Sequence, residues 1–142
     1  MKTLIIAGFL TFATPALAES VPDMVHKEAM RLGVPPSLAL SIAKHESGFR
    51  CSAVGSRGER GVMQIKPRTA KSLGYKGSPS GLNNCRIGIH YGMVYLKLAY
   101  KKASGNWYRT AALYNGGLGT KRKTSGYAKK VVQNGHPGSS HR

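Results

Sequence analysis

The sequence predicts one small, mainly α domain. The chain has 142 residues, too few for two ordinary domains. Its apolar residues recur at helical spacing between Pro, Gly, Asn and Ser punctuation, and no useful run alternates with a strand period. Hydrophobic residues make up 41%, enough for a core. A wholly disordered basic tail is therefore excluded, although 22 Lys+Arg face 5 Asp+Glu for a formal net charge of +17.

The first segment reads as an address. Met1 and Lys2 give a positive start, and Leu4 to Phe12 is an apolar stretch of signal-peptide length. Pro15 breaks it, and Ala16-Leu17-Ala18 has the small-x-small cleavage pattern. Residues 1–18 are expected to be a signal peptide, and the mature protein to be exported and periplasmic. The alternative, an N-terminal core helix, would pack a bare apolar stretch onto a very basic domain. The apolar run is too short for a typical transmembrane span, so no stable membrane insertion is expected. Export places the chain in an oxidising compartment, where Cys51 and Cys85 can form a disulfide. Zinc, with His45 or His90 as further ligands, is the rival. Neither Cys-x-x-Cys nor His-x-x-x-His occurs, so no metal or cofactor is expected.

Ser20-Val21-Pro22-Asp23 resembles a capping box with proline in the first turn, and Gly33 ends the helix it opens. Val21, Met24, Val25 and Leu32 share its apolar face. Pro35-Pro36-Ser37 starts a second helix running to about Ser47. Gly48 to Gly61 holds four glycines and no apolar period, which marks a loop. Pro67 opens a short helix closed by Gly74. Asn83-Asn84 can cap a long helix from about Cys85 to Tyr100, with Ile87, Tyr91, Val94, Tyr95 and Leu98 as its expected face. Gly88 and Gly92, one turn apart, would let another backbone approach closely. A helix from about Trp107 to Asn115 ends in Gly116-Gly117, and a last one spans about Gly126 to Val132. The folded domain is expected over residues 19–134, with 135–142 a disordered tail.

One carboxylate stands out among five. Glu19, Asp23 and Glu28 lie where solvated surface acids are the default. Glu59, between Arg57 and Arg60 in sequence, is expected to be held ionised by them and to be a poor proton donor. Glu46 shares a helix face with Leu38, Ala39, Ile42 and Ala43, while Ser37, Ser41, Lys44 and His45 fill the other side. Apolar surroundings raise a carboxyl pKa and suit a general acid. A Glu tied into a structural hydrogen-bond network would sit there equally well.

Four motifs then carry a resemblance. They are Glu46-Ser47-Gly48-Phe49, Gly61-Val62-Met63-Gln64-Ile65-Lys66-Pro67-Arg68-Thr69-Ala70, Ala112-Leu113-Tyr114-Asn115-Gly116-Gly117 and Gly126-Tyr127-Ala128-Lys129-Lys130-Val131. In that order, from about residue 22 to 133, they resemble the catalytic domain of soluble lytic transglycosylases, relatives of goose-type lysozyme. Val62 stands where the family often has Leu, and Leu113 where Ala is commoner. The resemblance implies a lysozyme-like, mainly α single domain with an active-site cleft. It implies cleavage of the β-1,4 bond between N-acetylmuramic acid and N-acetylglucosamine, leaving a 1,6-anhydromuramic end. Carried over by motif, Glu46 is the catalytic acid/base. Ser47, Met63 and Gln64 would line the cleft, Tyr114 and Asn115 border it, and Tyr127 lie close to the Glu46 carboxyl. Tyr91, Tyr95 and Trp107 read as core.

The acid count agrees with that chemistry. Most glycoside hydrolases use two carboxylates, whereas attack by the sugar's own 6-hydroxyl needs no second carboxylate to activate water. The rivals are a muramidase, with Glu59 as its second carboxylate, and a non-catalytic cationic wall-binding protein. Charge alone would suggest nucleic acid, but the export signal and the lack of a recognition motif argue against it. The expected partners are peptidoglycan glycan strands, met by a monomer. With no wall-binding module in view, local wall opening for a secretion or conjugation apparatus is the expected setting.

Overall fold

The computed structural model describes residues 2–11 and 17–136. Ser20 accepts a hydrogen bond from the Asp23 N–H at 3.2 Å, and Gly33 takes a left-handed φ of 73°. Between them lies α1, Val21–Leu32. Helix α2, Pro36–Ser47, stops at Gly48, also left-handed. Helix α3, Pro67–Ser72, is short and ends at Leu73, just before Gly74. An unforeseen 3₁₀ turn, Pro79–Asn83, precedes α4, Cys85–Lys102. Helix α5 is Trp107–Gly116 and α6 is Gly126–Gly135. The side chains of Asn84, Asn106 and Ser125 cap α4, α5 and α6 by accepting from the N–H three residues on. Helix α6 continues three residues past the expected Val132.

Five helices close a circuit: α1 packs on α2, α2 on α6, α6 on α5, α5 on α4, and α4 back on α1. Their shared core holds Val25, Leu38, Ile42, Met63, Ile89, Met93, Leu96 and Val131. A smaller core of Ile65, Ala70, Tyr75 and Leu82 sits under α3 and the 3₁₀ turn. The link from α2 to α3 carries only isolated bridges, Val54 to Arg60 and Arg60 to Ile65.

Two expectations about helix faces need correction. In α4 the most buried stripe is Gly88, Ile89, Gly92, Met93, Leu96 and Ala99, whereas Ile87 and Leu98 are exposed. The expected face followed large side chains, but the tightest contact is made by glycines. A Cβ on Gly92 would fall 2.3 Å from the Met63 Cβ, and one on Gly88 would fall 2.3 Å from the Leu82 carbonyl oxygen. The close approach at this pair is thus present, and it seats the segment that carries Met63. In α2 the supposed polar side is covered at Ser41, whereas Lys44 and His45 are exposed as expected. Ser41 is buried and donates to the Val131 carbonyl of α6 at 2.6 Å.

Near the N-terminus, residues 2–11 form no helix, and Leu4, Ile5, Ile6, Phe9, Leu10 and Leu17 are exposed. They add nothing to the core, so the core-helix alternative fails for this segment. Phe12, Pro15 and Ala16 of the expected signal, and residues 137–142 of the expected tail, lie outside the described residues. No described helix is long and apolar enough to cross a membrane.

Cys51 and Cys85 are bonded, 34 positions apart. The bridge fastens the segment after α2 to the start of α4, and it removes both sulfurs as thiolate ligands for zinc. Asn83 reinforces the tie, donating to the carbonyls of Cys51 and Ala53 at 3.0 Å each. Replacing both cysteines by serine should cost about 4 kcal/mol in the chain-entropy model. Thermal melts of the double variant should show a clearly lower Tm, and a parental Tm would contradict the constraint.

Candidate active site

The cleft lies between the helical circuit and the smaller core. It has a volume of about 550 Å³ and is lined by Glu46, Ser56, Arg57, Glu59, Gln64–Lys66, Thr69, Tyr95 and Tyr114–Gly117. A second hollow, between α2 and α6, is lined by Leu40, Lys44, His45 and Phe49 and contains no carboxyl. The pairing of acid and cleft therefore picks out the first.

Glu46 stands in the last turn of α2, one residue before Ser47. Its helix neighbours Leu38, Ile42 and Ala43 are fully buried. Burial pushes the Glu46 carboxyl from an ordinary 4.5 up to about 7. The Tyr127 hydroxyl, which donates to Glu46 Oε2 at a long 3.4 Å, pulls it down, and the negative charge of Glu59 pushes it up. The hydroxyls of Tyr127 and Tyr114 are themselves pushed well above 10, first by burial and then by the Glu46 charge. Both remain proton donors in any neutral buffer. The site can therefore keep a carboxylic acid protonated near neutrality and open to the cleft.

The other sequence-derived candidates divide into two layers. Gln64, Tyr114 and Asn115 face the cleft together with Glu46. Ser47 and Met63 do not. Ser47 is 4% exposed, and its hydroxyl donates to the Val62 carbonyl at 2.7 Å. Met63 is 0% exposed, with its side chain on Gly92 and its carbonyl accepting from the Tyr114 hydroxyl at 2.5 Å. These two form the floor beneath the cleft. They bind the end of α2 and α5 to the Gly61–Gln64 turn. Tyr127 is outside the cleft wall but reaches Glu46 from α6. Gln64 holds a positive φ of 51°, unusual for a residue with a Cβ, and its amide donates to the Gly61 and Ala53 carbonyls. It thereby locks the turn that it occupies.

Two features escaped the sequence, and a third corrects it. Tyr95, read as core, is half-buried with one side on the cleft, its ring 5.4 Å from that of Tyr114. Arg57 and Lys66 bring positive charge to the cleft lining. Glu59 also lies in the cleft, and the arginine clamp expected for it is absent. Among the described residues no cation forms an ion pair with Glu59, and Arg60 instead donates to the Asn83 side chain at 3.2 Å. Sequence adjacency puts Arg57 and Arg60 near Glu59 but does not say which way their side chains point. Among the described residues no group of three or more His, Cys, Asp or Glu could hold a metal ion.

Residues 23–135 match the family model of the transglycosylase SLT domain. Over 120 residues the chain is 32% identical to the membrane-bound lytic murein transglycosylase C of Actinobacillus pleuropneumoniae serotype 5b, covering 75% of this chain and 33% of that protein. Over 96 residues it is 33% identical to the soluble lytic murein transglycosylase of Escherichia coli K12, covering 63% and 15%. The chain thus spans a third or less of these relatives' lengths. Among solved structures it resembles the 70 kDa soluble lytic transglycosylase of Escherichia coli, with a TM-score of 0.63 and 27% identity over 80% of this chain and 18% of that one. It also shares its fold with the lytic transglycosylase Slt of Pseudomonas aeruginosa, at a TM-score of 0.66 and 24% identity over 79% and 22%. The fold is the lysozyme-like helical domain of these proteins.

The proton on Glu46 links stability to pH. The native state keeps it up to about pH 7, whereas the unfolded chain releases it near 4.5. Stability should therefore fall as pH rises between those values, by about 3 kcal/mol in all. Glu46→Gln, which never ionises, should exceed the parent in stability at pH 8 and match it near pH 4. Urea unfolding at both pH values checks this, and a constant difference would contradict it.

Proposed function

Because the chain belongs to the transglycosylase SLT family, we propose that it is a peptidoglycan lytic transglycosylase whose acid/base is Glu46. The observation that carries this reading is the carboxyl placed at the cleft and pushed by burial to about 7. Protonated Glu46 donates to the glycosidic oxygen as the bond from the muramic C1 breaks. The resulting carboxylate accepts the proton of that sugar's 6-hydroxyl, whose oxygen closes on C1. The glycan leaves a 1,6-anhydro end, no water is consumed, and Glu46 regains its proton. The nucleophile is already tethered to the substrate, which favours closure by proximity. Tyr127 steadies the carboxylate half of the cycle through its hydroxyl. Gln64, Tyr114 and Asn115 line the sugar's path. Ser47 and Met63 hold the cleft floor.

The proposal extends to export and to action in the periplasm, supported by an apolar leader whose described large hydrophobic residues are exposed. It also takes in a monomer that opens the wall locally for a secretion or conjugation apparatus. The muramidase reading draws support from one observation, the presence of Glu59 in the cleft.

Glu46→Gln should leave wall binding intact and reduce release of muropeptides from purified sacculi by at least ~10²-fold. Release at the parental rate would remove Glu46 from the role. The parent's products separate the two chemistries. Mass spectrometry should find muramic ends lighter by one water and resistant to borohydride, whereas mainly reducible ends would make the protein a muramidase.

A further inference from the structure

Three of the chain's five acids are engaged on its outer surface. Glu19 pairs with Lys27 at 2.8 Å and Arg86 at 2.7 Å, and Glu28 with Arg31 at 2.6 Å and His90 at 2.8 Å. Asp23 lies in the first turn of α1, where a negative charge suits the helix dipole. The other two, Glu46 and Glu59, line one cleft. Glu59 has no ion-pair partner among the described residues, and its Oε1 is buried without a hydrogen bond. The chain carries 22 basic residues, and leaving a carboxylate unpaired and partly desolvated works against stability. The backbone nevertheless accommodates it. A Cβ on Gly55 would fall 2.1 Å from Glu59 Oε2, so the absence of a side chain there is what lets the carboxylate lie over the loop.

We propose that Glu59 is a second working carboxylate of this cleft, an unneutralised anion that stabilises the positive charge developing on the sugar and holds the proton on Glu46 until transfer. The inference rests on the proposed transglycosylase chemistry. Glu59 forms no bond and moves no proton in it. As the C1–oxygen bond breaks, its electron pair leaves with the departing oxygen, which takes the proton of Glu46. The charge left at C1 then develops in a cleft that holds a carboxylate with no ion-pair partner among the described residues. The groups around Glu46 are Tyr127 from α6, Tyr114 from α5, Tyr95 from α4 and Glu59 from the loop, with Arg57 and Lys66 lining the same cleft. Of these only Glu59 is a second carboxylate, so it is the group that opposes ionisation of Glu46 by repulsion.

Kinetics of Glu59→Gln and Glu59→Asp on solubilised glycan strands across pH test this, together with the pH midpoint at which Glu46 lowers stability. Glu59→Gln should lose ~10-fold or more in kcat with KM little changed. The basic limb of its profile should move to lower pH, because Glu46 then gives up its proton more readily. Glu59→Asp should recover part of both. Parental kcat with an unmoved limb would overturn the proposal. If the parent releases no muropeptides, the transglycosylase reading fails on its own. The stability midpoint then decides the coupling: a lower midpoint in Glu59→Gln upholds it, and an unchanged one overturns it.

Discussion

A carboxyl group loses its proton near pH 4.5 unless something makes the charged form expensive, and here desolvation does so. Glu46 needs enough apolar cover to keep the proton and enough opening to deliver it. The end of a buried helix meets both needs. Helix α2 runs between α1 and α6, so the residues a turn or two before Glu46 are fully buried, while Gly48 turns the chain out immediately after it. The same burial that raises the carboxyl also keeps the hydroxyls of Tyr114 and Tyr127 neutral. The site thus combines one acid with donors that do not ionise in competition with it.

Holding that half-dry geometry requires the loop opposite to be fixed, because a shift of its floor would flood or close the cleft. The floor is a relay of backbone carbonyls. Ser47 grips Val62, Tyr114 grips Met63, and Met63 rests on the bare backbone of Gly92. The Cys51–Cys85 bridge and the two bonds from Asn83 clamp the near end of the loop to α4. A long, glycine-rich connection is therefore held at several points without regular secondary structure. The glycines earn their place at contacts where a methyl group would not fit, notably Gly55, Gly88 and Gly92.

Much of this was legible in the residues. Helix starts and stops follow caps and glycines, whose signals are local, so Ser20, Gly33, Gly48 and Asn84 mark their ends well. Glu46 was legible because a lone carboxyl breaks an apolar helical stripe. The α4 face is hard to read because large apolar side chains lie all around that helix, and its closest contact is made by residues with no side chain to count. Ser47 and Met63 carry motif identity, but their partners are carbonyl groups and a glycine distant in sequence. Nothing local distinguishes a floor residue from a wall residue. Glu59 was placed beside two arginines by adjacency, whereas the long side chain of Arg60 turns to Asn83, which tertiary structure alone decides. The ion pairs of Glu19 and Glu28 with α4 are hidden for the same reason.

The central claim is that burial keeps a proton on Glu46 near neutrality in the free protein. Carbon-13 NMR of the glutamate side-chain carboxyls, assigned with Glu46→Gln, follows each of them through a pH titration. One resonance, missing from the variant, should titrate near pH 7 while Glu19 and Glu28 titrate below the ordinary carboxylate range, held there by their hydrogen-bonded cations. A Glu46 resonance that titrates at an ordinary 4.5 would contradict the account.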